Sequence, residues 1–210
     1  MTADPQFWNN LAEDYSRQPV ENPEAFDRKI EITKSRMQAN HTVLDIGCGT
    51  GSLALRLAPF AARVHGLDIS SEMVRIGRAK AAADQVENVT FHVGPFDGAV
   101  PFEPESLDGI CAYSILHLME DPRASMEQIF ALLKPGGFFI SSTVCLGDSW
   151  MPYRPLIAAM RWAGKAPMVQ ILPRDSVVED ARAAGFVDID LPDVGAKNTI
   201  AFMVATKPQG

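Results

Sequence analysis

Val43-Leu44-Asp45-Ile46-Gly47-Cys48-Gly49-Thr50-Gly51 leaves this chain few ways to fold. A short apolar run, Thr42–Ile46, enters a turn rich in glycine, and Ser52–Leu57 continues with helical character. Glycine lets a backbone turn tightly and lets a ligand approach with no Cβ in the way. Strand, glycine turn and helix in succession form the opening unit of a doubly wound α/β sheet. Ligands of such sheets bind just beyond the carboxyl end of the first strand.

The turn departs from the dinucleotide fingerprint G-x-G-x-x-G, because Ser52 stands at the sixth position. Asp45 adds a physical objection. A carboxylate two residues before the first glycine would face a pyrophosphate at a cost on the order of several kcal/mol at an effective dielectric near 20. A cationic ligand suits it better. Some twenty residues on, the apolar run from Arg63 ends at Asp68-Ile69. An acid at the tip of a second strand accepts hydrogen bonds from ribose hydroxyls.

The remaining pattern repeats the strand–helix alternation. Ser70 or Ser71 can cap a helix with Glu72 in its first turn. Val89, Phe91 and Val93 alternate with Thr90 and His92 as a third strand. Leu107–Ala112 reads as a fourth, and Asp121-Pro122 starts a helix that Lys134-Pro135-Gly136-Gly137 stops. Phe138–Val144 is a fifth strand, and 146–172 is an irregular segment rich in Met, Pro and Trp. Ser176 and Glu179 have the spacing of a capping box for a helix ending at Gly185. Phe186–Leu191 and Thr199–Thr206 close the chain as neighbouring strands, one of them antiparallel. Residues 5–39 are polar and helical, with Phe7, Trp8, Leu11 and Tyr15 as apolar punctuation. Helices between strands imply a mostly parallel sheet covered on both faces.

With 210 residues, one domain is the expectation. The start, MTADPQFWNN, lacks the features of a signal peptide, and no window is long and apolar enough for a transmembrane segment. Cys48, Cys111 and Cys145 are odd in number and widely spaced, which fits a reducing cytoplasm and argues against a disulfide framework or a zinc site. Net charge is −7, which repels phosphate backbones and makes nucleic acid a poor partner. His41, His65 and His92 lie at the start of strands or within them and share no metal-ligand spacing, so no metal is expected.

Val43–Gly51, Leu67-Asp68-Ile69-Ser70, Val100-Pro101-Phe102, Ser114-Ile115-Leu116-His117-Leu118 and Leu133–Gly137 together resemble the class I S-adenosylmethionine-dependent methyltransferases. The likeness is greatest to the small-molecule branch called methyltransferase type 11, and it runs from about residue 40 to 145. It implies a Rossmann-like, seven-stranded sheet in order 3-2-1-4-5-7-6 with an antiparallel C-terminal strand. It implies S-adenosylmethionine as cofactor, held by Asp45, Gly47, Cys48, Gly49, Thr50 and Gly51 of the loop. Asp68 and Ile69 end strand 2 with Met73 in the helix after it, Tyr113 follows strand 4, and Tyr15 comes from the lead-in helix. Where the family often has Gly-Asp-Ala after strand 3, this chain has Pro95, Phe96 and Asp97. Three readings stay open: Asp97 reaches the adenine amino group, Phe96 packs against the ring, or both only shape the loop.

The chemistry implied is methyl transfer to a small-molecule acceptor by in-line displacement. Two other readings stand beside it: a non-catalytic relative that binds the same cofactor, and an NAD-dependent oxidoreductase. His117 is the one candidate general base. Residues 149–174 carry Arg154, Arg161, Lys165 and Arg174 and no acid, together with Trp150, Met151, Tyr153, Met160, Trp162 and Met168. Apolar walls with a few fixed cations suit an anionic, partly apolar acceptor. Residues 146–172 are therefore the candidate substrate cap, with Tyr153, Arg154 and Arg161 as substrate residues. The competing structural reading is an amphipathic helix over Pro155–Ala163 that packs Leu156, Ile157 and Met160 inward, its arginines solvated.

Overall fold

The computed structural model describes residues 4–96, 100–163 and 166–210. Helices α1 (Pro5–Arg17) and α2 (Pro23–Ser35) precede β1 (Thr42–Ile46), α3 (Ser52–Leu57), β2 (Arg63–Asp68), α4 (Ser71–Ala83) and β3 (Val89–Val93). There follow β4 (Leu107–Tyr113), α5 (Pro122–Leu132), β5 (Leu133–Val144), α6 (Tyr153–Trp162), α7 (Arg174–Ala183), β6 (Val187–Asp190) and β7 (Ile200–Thr206). The seven strands form one sheet in the order β3-β2-β1-β4-β5-β7-β6. β3 through β5 are parallel, and β7 runs antiparallel to both β5 and β6. This is the expected order.

Strand β1 is apolar because both its faces are covered. Leu44 and Ile46 join Leu67, Ile110 and Phe139 on one side, over α5 and α7. Val43 joins Val64, Cys111 and Ile140 on the other, under α2 and α3. At the carboxyl end, the chain leaves β1 for β2 on one side while β4 pairs on the other. The strand order switches there, and the switch opens the crevice that receives ligands.

Helix starts follow one local rule. Asp4, Asn22 and Asp121 each precede a proline, and each side chain accepts an N–H from the helix's first turn, at 2.9, 3.0 and 3.0 Å. Proline at the first helical position loses no hydrogen bond there. Ser70 caps α4 by accepting the Met73 N–H at 3.1 Å.

Two local expectations fail. The 146–172 segment is not irregular throughout, since it contains α6. The capping box of Ser176 and Glu179 does not form either. α7 already begins at Arg174, after Pro173, and Ser176 Oγ donates to the Pro173 carbonyl at 2.8 Å. The N–H at that helix start is met instead by Asp148, whose Oδ2 accepts from Arg174 at 2.7 Å. A distant carboxylate does the work the local pattern suggested.

Candidate functional site

The glycine loop turns left-handed three times, with φ of +65° at Gly47, +53° at Gly49 and +81° at Gly51. The residues do different things. A Cβ on Gly47 would meet Ile115 Cγ1 at 2.7 Å, and one on Gly51 would meet Phe91 Cζ at 2.7 Å, so both are close-packed inward. At Gly49 the nearest atom would be Tyr15 Cε1 at 3.6 Å, so this backbone faces an open space roofed by Tyr15. Cys48 turns its buried thiol into the sheet, and Thr50 Oγ1 accepts from Lys80 Nζ at 2.9 Å. Only their backbones belong to the loop's outer face.

Asp68 ties the loop to β2. Its two carboxylate oxygens accept the N–H of Gly49 at 2.8 Å and of Ser70 at 2.9 Å. Each oxygen keeps further lone-pair capacity. Asp45, on the neighbouring strand, is 1% exposed, and its Oδ2 has no hydrogen-bond partner. Burial first, and the charge of Asp68 second, push its carboxyl up to about 8. Burial likewise raises Asp68, against the two N–H bonds. Two acids at adjacent strand tips, one with an orphaned buried oxygen, have no positive partner among the described residues. An ammonium offers one, and the pyrophosphate of a dinucleotide would deepen the conflict. The loop therefore fits S-adenosylmethionine.

Helix α1 lies across this end of α4. Asn9 Oδ1 accepts from Ser70 Oγ at 2.7 Å and from the Glu72 N–H at 3.2 Å. Arg75 reaches Glu13 at 2.6 Å, and Ala12 and Trp8 pack on Met73 and Ile76. Met73 is thus occupied by α1. Tyr15 is half-exposed, and its hydroxyl is raised by burial and then by Asp68 and Asp45. Asn9 carries no sequence signal that points to this role.

The other expected residues divide between near and occupied. Ile69 follows Asp68 and is partly buried. Tyr113 stands at the tip of β4, but its hydroxyl is 2.8 Å from Thr33 Oγ1 and donates to the Lys29 carbonyl at 3.2 Å. Phe96 packs against the core beneath the sheet end, and Asp97 lies outside the described residues. Ser114 takes a left-handed φ of +57°, unusual for a non-glycine, and its N–H donates to Ser142 O at 2.7 Å. That bend delivers Leu116–Leu118, a short 3-10 turn, over the strand ends.

His117 in that turn is buried, and its Nδ1 has no hydrogen-bond partner. Burial lowers its pKa to about 4, so the imidazole is neutral at pH 7. Its carbonyl accepts the Gln170 N–H at 2.7 Å, which ties the irregular stretch before α7 to this turn. His65 and His92 pair with each other, Nδ1 to Nε2 at 3.1 Å, beside Phe102. Among the described residues, no group of three or more His, Cys, Asp or Glu could hold a metal ion.

α6 is amphipathic, but of its apolar stripe only Ile157 turns inward. Arg154, Ile157, Ala158 and Arg161 face Val169–Ile171 across a cavity of about 350 Å³. Leu156 and Met160, expected to pack inward, are 49% and 39% exposed, and the helix buries no residue. Tyr153 opens it, partly buried. Arg154 and Arg161 remain exposed while lining the cavity, and Lys165 lies outside the described residues.

A family profile described as "Methyltransferase domain" matches residues 37–175. The chain is 32% identical over 134 residues to the uncharacterized methyltransferase YcgJ of Bacillus subtilis, covering 64% of this chain and 51% of that protein. It is 32% identical over 173 residues to the O-methyltransferase cnsE of Penicillium expansum, covering 80% of this chain and 59% of that one. It thus spans about half to three-fifths of these curated relatives. Phosphoethanolamine N-methyltransferase 2 of Haemonchus contortus, solved with S-adenosyl-L-methionine, has the same fold, with a TM-score of 0.73 at 20% identity. That match covers 88% of this chain and 53% of that chain.

Proposed function

The chain belongs to the methyltransferase-domain family, with S-adenosylmethionine as its cofactor, and on that premise we propose that it methylates a small, partly apolar, anionic acceptor. The observation that carries the methyl-donor side of this reading is the pair Asp45 and Asp68 around the glycine loop, with Asp45 Oδ2 unpartnered. When bound, S-adenosylmethionine supplies a methyl group activated by its cationic sulfonium. Asp45 provides negative charge for the cationic end, and the Gly49 face of the loop gives room for close approach. Asp68 offers its remaining lone pairs to ribose hydroxyls. Tyr15 of α1 lies over the Gly49 face of the loop, where it borders the space for the cofactor.

What remains for the protein is to hold an acceptor in line, at roughly 3–3.5 Å from the methyl, in a dry site. His117 is neutral at pH 7, yet with a pKa of about 4 it takes a proton only from an acidic nucleophile. Alignment therefore outweighs base catalysis. Residues 146–172 act as the acceptor cap. The 350 Å³ cavity, with Arg154 and Arg161 on one wall and Ile157, Val169 and Ile171 beside them, supports an anionic, partly apolar ligand. The net charge of −7 argues against a nucleic-acid acceptor. Cys48, Cys111 and Cys145 are free and buried, which supports a reducing, cytoplasmic setting.

The test is a metabolite extract incubated with methyl-labelled cofactor and purified protein. Label moving into a low-mass product supports the proposal. Tight cofactor binding with no transfer to any extract would favour the non-catalytic alternative.

A further inference from the structure

One cation at the end of the sheet is used by neither the cofactor loop nor the cap. Lys29 leaves α2 toward the strand tips, and its Nζ donates to Ser142 Oγ at 2.8 Å. Ser142 stands on β5 in register with Tyr113 of β4. In the sheet order these strands lie on the far side of β1 from Asp68. Nζ also sits 6.0 Å from the centroid of the Phe202 ring on β7.

The base of this side chain is fixed. Thr33 Oγ1 donates to the Lys29 carbonyl at 2.9 Å, and the Tyr113 hydroxyl donates to the same oxygen at 3.2 Å. Its charged end is not neutralised. Among the described residues no Asp or Glu forms an ion pair with Lys29. An ammonium has three donors, and the hydroxyl of Ser142 takes one. Half-burial without a counter-charge lowers its pKa. A buried charge held by a neutral partner is costly, and an anion that met it would recover that cost.

The ring that Nζ approaches, Phe202, also borders a cavity of which Lys29 itself is not a wall residue. That cavity, of about 390 Å³, is also lined by Arg174, Val194, Lys197 and Ile200, and Asp193 is its one acidic wall residue. Lys197 is occupied by Glu21, whereas the Arg174 guanidinium forms no ion pair among the described residues and donates to the Ile200 carbonyl at 2.6 Å. The volume falls within the roughly 300–1,000 Å³ of small-molecule sites.

We propose that Lys29 is the anchor for a carboxylate on the methyl acceptor, whose apolar body rests against Phe202. The proposal rests on the methyltransferase reading above. It adds a specificity residue on the α2 side of the strand tips, opposite the cap arginines. Its ammonium contacts Ser142 of β5 and Phe202 of β7, and the S-adenosylhomocysteine titration below distinguishes an acceptor role from one on the cofactor's own carboxylate.

The test compares Lys29→Met and Lys29→Arg with wild type in two titrations. S-adenosylhomocysteine is titrated first by calorimetry. Benzoate, 4-hydroxybenzoate and hexanoate are then titrated into the S-adenosylhomocysteine-saturated protein, with benzamide as the neutral control, and read by NMR. The expected result is carboxylate binding to wild type but no benzamide binding. Lys29→Met should weaken carboxylate binding at least tenfold, Lys29→Arg should retain most of it, and S-adenosylhomocysteine affinity should stay within twofold in all three. Carboxylate binding that is absent in wild type, or equal in Lys29→Met, overturns the proposal. So does a tenfold loss of S-adenosylhomocysteine affinity in Lys29→Met, which would assign Lys29 to the cofactor. Wild type failing to bind S-adenosylhomocysteine would instead sink the methyltransferase reading itself.

Discussion

Helices α1 and α6 both border the carboxyl end of the sheet, and they are held in opposite ways. α1 buries Ala12 completely, packs Trp8 on Met73 and Ile76, and locks Asn9 onto the start of α4. α6 buries nothing, presents Leu156 and Met160 to solvent, is preceded by Trp150 and ends in Trp162, each tryptophan 92% exposed. Segments with few buried apolar contacts open at low free-energy cost. On the proposed assignment the cofactor half is built in advance, and the acceptor half is held loosely enough to close around a ligand. A fixed cofactor paired with a movable cap allows the acceptor to enter and the product to leave.

The sharpest way to break this contrast is to shorten one methionine in each region. Met73→Ala removes a 2%-exposed side chain beneath α1 and should cost about 2–5 kcal/mol in urea denaturation. Met160→Ala on α6 should stay within about 0.5 kcal/mol. Equal losses would mean that α6 is packed as firmly as α1.

Next in size is the loop's anchor. Asp68→Ala should weaken S-adenosylhomocysteine binding by about 1.5–3 kcal/mol, the scale of a lost charged acceptor. An unchanged affinity in a folded variant would remove Asp68 from the cofactor site.

Asp45 gives a pH signature. Its carboxyl is raised from 3.8 to about 8 in the folded protein without ligand. The folded state then holds a proton that the unfolded state has lost across that window. This contribution to stability is complete below 3.8 and is lost as pH rises toward 8. Binding a cationic ligand needs Asp45 charged, so affinity should climb with pH toward 8, by at most about tenfold per unit. Asp45→Asn should flatten that slope. A slope of the same size in Asp45→Asn would place the titration elsewhere.

The smallest effect belongs to the cap. Reversing the charge of Arg154 and Arg161 should raise the acceptor's KM severalfold through lost electrostatic attraction, with S-adenosylhomocysteine affinity unchanged. Wild-type kinetics in both variants would leave the 350 Å³ cavity without a role in acceptor binding.

What the sequence made legible follows this division. β1 and its glycines declare themselves within nine residues, because strand, turn and helix start are local choices. Asp121-Pro122 is readable for the same reason. Asn9 on Ser70 and Lys29 on Ser142 bridge 61 and 113 residues, and no local pattern encodes such pairings. Ser176 and Glu179 had the right spacing for a cap, but Pro173 and the distant Asp148 set the helix start instead. The periodicity of α6 marked its stripe, while its outward orientation depends on what the cap covers.

The central claim is that the two acids around the glycine loop select a cationic adenosine cofactor. Calorimetry of the wild-type protein at pH 7 in two buffers of different ionisation enthalpy tests it most directly, with S-adenosylmethionine and NAD titrated in turn. The account predicts saturable binding of S-adenosylmethionine with proton release, as Asp45 ionises, and no heat with NAD. Binding of NAD with no response to S-adenosylmethionine would contradict it.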